Sequence, residues 1–195
     1  MLDTFRSVAP ARPGAVTGVL NPAFRYLRVT IDNRVALLAL GNVDEDPGGP
    51  IEVWYSAARE VLRLQNGRVV GASGLTTEWR NVSLPVIPRW AELARGDAPY
   101  RWERVRDVMP GYRYGVRDSL TLRRVAPPSR SRLAGVASTD LAWFEERAEQ
   151  LPLARYAVEV RDGVGTAVYG EQCLALELCF SWQRWPAPSS VPERH

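Results

Sequence analysis

Asn66-Gly67 constrains this chain more than any other pair of residues. It separates two short runs, "VLRLQ" and "RVV", the first of which alternates Val61, Arg63 and Gln65 with Leu62 and Leu64. A two-residue link between alternating segments needs φ > 0 at both central positions, and Asn followed by Gly adopts that type I′ geometry at little steric cost. The chain is therefore expected to form an antiparallel β-hairpin here.

The same grammar recurs along the sequence. "RYLRVTIDNRVALLALG" alternates Tyr26, Arg28 and Thr30 with Leu27, Val29 and Ile31, turns at Asp32-Asn33, and resumes as an apolar run from Val35 to Leu40. Further strands are expected at 51–55, 79–86, 100–108, 119–125, 133–138, 156–162, 167–171 and 173–182. Two short helices are expected as well. "PRWAELARG" offers Pro88 for its first turn and Gly96 as a stop. "STDLAWFEERAEQL" offers Thr139 or Asp140 as N-cap, with Leu141, Phe144 and Leu151 sharing a face. The expected fold is mainly β: an antiparallel sandwich or barrel-like sheet with one or two short peripheral helices. Residues 23–185 read as a single β domain, 1–22 as an extended N-terminal tether and 186–195 as a flexible tail.

Composition narrows the chemistry. All 25 basic residues are Arg, so a Schiff-base Lys, a P-loop Lys or a Lys general base is excluded. The only histidine is His195, the last residue, which argues against Ser-His and Cys-His catalysis and against His-ligated zinc. The 25 arginines and 22 acidic residues are interleaved, unlike the concentrated basic stripe of a nucleic-acid binder. No run of 18 apolar residues is present to form a membrane-spanning helix. No cofactor and no metal is expected. Asp44, Glu45 and Asp46 lack the ordered spacing of a calcium loop, and Glu145 with Glu146 point apart on a helix.

Two constellations remain. Cys173 and Cys179 would stand about 20 Å apart on a straight strand, so a disulfide requires "LALEL" to turn or bulge. Without that bend they are buried free thiols; a periplasmic location would favour the bond. Tryptophan and arginine also recur together, in "EWRN", "YRWERVRD" and "SWQRW". Trp79, Arg80, Trp102, Arg104, Trp182, Arg184 and Trp185 could form an aromatic and guanidinium face for an acidic polysaccharide. Plain alternation of inward Trp and outward Arg gives the same pattern.

The blocks "RVALLALG", "IEVWYSAAREVLRLQNGRVVGASGLTTEWR", "ARYAVEV" and "VYGEQCLALELCFSWQRW" resemble, in that order, the YjbF family of outer-membrane lipoproteins of exopolysaccharide and capsule secretion operons. The resemblance runs from about Phe24 to Trp185. It implies a mostly β periplasmic domain, held at the outer membrane by a lipidated cysteine, working beside a periplasmic protein and an outer-membrane β-barrel protein of the same operon. This sequence carries no lipobox cysteine before residues 1–22, which are then expected to be the start of the mature tether with the lipid anchor removed. The resemblance implies a non-enzymatic accessory that binds a partner protein or an acidic polysaccharide, and no nucleic acid. One alternative is a polysaccharide lyase or hydrolase using Tyr112, Arg113 and Tyr114; another is a scaffold for the secretion barrel.

Overall fold

Successive amphipathic runs joined by tight turns can bury their apolar sides only by pairing in order, and twelve of them do so. In a computed structural model that describes residues 20–187, they form β1 (Tyr26–Ile31), β2 (Arg34–Asp44), β3 (Ile51–Tyr55), β4 (Val61–Gln65), β5 (Arg68–Ser73), β6 (Glu78–Ser83), β7 (Tyr100–Met109), β8 (Arg113–Val125), β9 (Ala142–Ala148), β10 (Ala154–Arg161), β11 (Val164–Ala175) and β12 (Leu178–Trp185). The one α-helix among the described residues, α1, spans Trp90–Leu93. Every strand is antiparallel to its sequence neighbours, and β1 pairs with β12, so the meander closes into a barrel without an edge. The expected tether up to residue 19 and the tail from residue 188 lie outside the described residues.

The barrel is packed rather than hollow. Leu27, Val29, Leu38, Trp54, Leu64, Phe144, Tyr156 and Trp182 project into one continuous core and are at most 4% exposed. Full burial of such side chains stabilises by about 1.5–3 kcal/mol each. Asn66 and Gly67 both have φ > 0, at 50° and 80°, as the turn chemistry requires. The tip of that hairpin packs against the opposite wall: a methyl added at Gly67 would lie 2.5 Å from Ala167 Cβ and 3.2 Å from the Trp182 ring. Gln172 on β11 completes the contact, accepting from the Val69 N–H at 3.0 Å and donating to the Gly67 carbonyl at 3.2 Å.

Helix α1 sits over the same end. Trp90 reaches the core, with ring centroids 5.0 Å from Phe144 and 5.2 Å from Tyr156, and its Nε1 donates to the Asn66 carbonyl at 2.8 Å. Gly165 permits this approach, since a Cβ there would meet Ala91 N at 2.6 Å. Pro88 precedes the N-cap position, Arg89, instead of opening the first turn.

Three expectations are corrected. Residues 142–148, expected within a helix, form β9. Their charges are spent across strands: Arg123 of β8 donates to Glu145 at 2.9 Å and Arg155 of β10 at 3.4 Å, while Glu146 faces inward beside Tyr156. Residues 133–138, expected as a strand, instead form a loop laid on the outer face. Leu133 and Val136 pack there with Trp143, Val168 and Tyr169, and Gln183 bonds both the N–H and the C=O of Ala134, as a neighbouring strand would. The single long strand expected at 173–182 breaks at Leu176-Glu177 into the β11–β12 hairpin.

Candidate functional site

In a closed meander every second turn falls at the same end. The turns after β1, β5, β7 and β11 thus gather at one rim, where they enclose a cavity of about 740 Å³. Ile31, Met109 and Leu178 give it apolar lining, Thr76 and Thr77 hydroxyls, and Asp32, Arg34, Arg113 and Glu177 charge. None of those four charged groups has an ion-pair partner among the described residues. Elsewhere on the wall, exposed arginines such as Arg80, Arg117 and Arg161 face Glu78, Glu103 and Glu159.

Tyr112 and Tyr114 flank Arg113 at the β7–β8 tip and are 70% and 68% exposed. Tyr112 holds φ 52°, a backbone region that a bulky residue rarely adopts. The rim therefore carries aromatic rings and hydroxyl, guanidinium and carboxylate groups together.

The expected Trp-Arg face does not assemble on one surface. Trp79, Trp102 and Trp182 are buried inside the barrel, and so is Arg104. Trp79 Nε1 donates to the Leu174 carbonyl at 3.0 Å, and the Arg104 and Arg106 guanidiniums lie 4.5 and 4.9 Å from its ring. Arg80 does face outward, pairing with Glu78 at 2.7 Å. Arg184 closes the far end with two hydrogen bonds of 2.9 Å to Glu52, and half-buried Trp185 lies 5.8 Å from the Arg28 guanidinium. The sequence pattern came from alternation, modified by two arginines turned inward, Arg104 and Arg106.

The interior polar groups form a structural network. Asp118 accepts from Arg104 at 2.8 and 2.9 Å and from Arg106 at 2.7 and 3.0 Å. Burial alone would push its carboxyl pKa up, but the hydrogen bonds and charges of Arg106 and Arg104 outweigh burial and hold it below the usual range. Arg68 lies 4.1 Å over the Trp90 ring and 3.5 Å from Glu146. Burial, with Glu146 beside it, pushes the Tyr156 hydroxyl well above its ordinary pKa. Asp44 pairs with Arg63 at 3.0 Å, and Asp46 accepts from Gln65 at 2.7 Å, so the acidic loop is tied to the hairpin.

Cys173 and Cys179 are cross-strand partners joined in a disulfide. The turn at Leu176-Glu177 supplies the bend that a bond required. It also places Glu177 and Leu178 on the rim, within reach of the disulfide's constraint.

Sequence reasoning singled out Arg113 but missed Asp32, Arg34, Thr76, Thr77 and Glu177. The available signal was topological: once a meander is assumed, alternate turns share an end.

No protein-family model matches the chain, and no curated protein sequence matches it either. A crystal structure of the hypothetical lipoprotein YmcC from Escherichia coli (K12) matches with a TM-score of 0.60, over 86% of each chain, at 14% identity. The fold is similar to that of a lipoprotein. At that identity the likeness shows the fold alone.

Proposed function

We propose that the chain is the folded part of a cell-envelope lipoprotein, periplasmic and outer-membrane anchored in full-length form. In this reading it serves exopolysaccharide or capsule secretion without catalysing a reaction and binds glycan or a partner protein at the barrel rim. The partners would be a periplasmic protein and an outer-membrane β-barrel protein. The observation that carries the reading is a recognition-sized cavity at one end of a barrel whose interior is otherwise packed. The similarity to a lipoprotein fold supports it. So does the Cys173–Cys179 disulfide, a bond that persists in oxidising compartments.

The test is genetic and chemical. Deleting the gene is expected to lower the polysaccharide released by the cells, with restoration by the intact gene; unchanged release would end the proposal. Purified polysaccharide incubated with the protein is expected to keep its chain length. New reducing ends or unsaturated termini would establish an enzyme instead.

A further inference from the structure

We propose that the rim cavity binds carboxylate-bearing saccharides, with Arg34 and Arg113 pairing to the ligand carboxylate and Asp32 and Glu177 accepting from its hydroxyls. The inference rests on the glycan reading above and assigns its site and ligand class.

Arg34 opens β2 and Arg113 opens β8, strands that stand opposite one another in the ring of twelve. Both nonetheless line one cavity, so a ligand seated there meets a guanidinium from each side. Neither guanidinium has an acidic partner among the described residues. Arginine presents a planar donor fork that matches a carboxylate. The volume of about 740 Å³ lies within the range of small-ligand sites.

The rest of the lining selects among anions. Asp32 and Glu177 disfavour a compact doubly charged phosphate but accept hydrogen bonds from sugar hydroxyls. Ile31, Met109 and Leu178 supply apolar contact for the C–H faces of a pyranose. One singly charged carboxylate per ring, several hydroxyls and an apolar ring face together describe a uronic acid residue.

Calorimetric titration of the protein with oligogalacturonates, neutral galacto-oligosaccharides of equal length and inorganic phosphate tests this. Calorimetry is preferred to tryptophan fluorescence because the tryptophans at 54, 79, 90, 102, 143 and 182 are buried. Oligogalacturonate is expected to bind, and Arg34→Ala and Arg113→Ala each to weaken it about tenfold. Both side chains are exposed, so the melting temperature should hold, confirming that the variants are folded. Affinity should also fall as salt rises. Equal binding of neutral sugar, preference for phosphate, no binding of oligogalacturonate, or folded variants with unchanged affinity would each overturn the assignment. The two readings fail separately: loss of secretion on deletion without uronate binding removes only this site, whereas uronate binding with normal secretion removes only the secretory role.

Discussion

Gln172 accepts a hydrogen bond from the Val69 backbone across the barrel, at 3.0 Å and 103 residues of sequence separation. The same side chain donates to the Gly67 carbonyl and lies 3.2 Å from the Tyr156 hydroxyl. Gln172→Leu therefore strands a buried N–H and a buried C=O at once. It is expected to cost about 2–4 kcal/mol, read as a lower urea midpoint with an unchanged slope. A loss below about 0.5 kcal/mol would show that the hairpin tip is held by packing alone.

Gly67→Ala adds a methyl in a left-handed backbone and against Ala167. A loss of about 2–4 kcal/mol is expected, part conformational and part steric. The double variant Gly67→Ala with Ala167→Gly should recover the steric part and retain the rest. Strict additivity of the two substitutions would contradict the contact.

Asp118 is buried between two arginines, so Asp118→Asn leaves two guanidiniums without their counter-charge. About 3–5 kcal/mol should be lost at pH 7. The pH profile supplies a second reading. Because the folded-state pKa of Asp118 is lowered, its contribution is complete above the ordinary Asp value of about 3.9 and disappears as pH falls through the folded value. The parent protein should lose stability steeply below about pH 4, and the variant should lack that component.

Tyr156 gives the opposite sign. Its folded-state pKa is raised, so the contribution is complete below about pH 10 and is lost as pH rises from there. Tyr156→Phe should flatten the alkaline arm of the stability profile. An unchanged arm would place the alkaline sensitivity on another group.

Closing a loop with a sequence separation of 6, the Cys173–Cys179 bond is expected to contribute about 2 kcal/mol. Cys173→Ser with Cys179→Ser should lower the melting temperature of the protein to match that of the reduced parent. Hydrogen exchange should rise chiefly at 174–178, and oligogalacturonate affinity should fall because Glu177 and Leu178 line the cavity. Uniformly faster exchange would mean that the bond supports the whole barrel.

Much of the strand set was legible because pairing partners are sequence neighbours and alternation marks the inward face. The errors at 133–138 and 142–148 share one cause. Leu141, Phe144 and Leu151 mimic a helical face, yet Trp143 is buried on the outside of the barrel beneath the 126–141 loop, so both faces of β9 carry apolar groups. The loop itself alternates because it covers that outer face. A pattern that reports burial does not report which side of the sheet does the burying. The candidate site was less legible still, since its residues come from four separate turns and carry no spacing in sequence.

Local chemistry fixed the turn at Asn66-Gly67 and the amphipathic strands, because each depends on a few adjacent residues and their steric limits. The turn's inward tilt onto Gln172, the folding of Trp79 and Arg104 away from solvent, the pairing of Cys173 with Cys179 and the gathering of Arg34, Arg113 and Glu177 at one rim were set by closure of the barrel. Closure is a sum of registers and bulges over twelve strands, and no short stretch of the chain contains that sum.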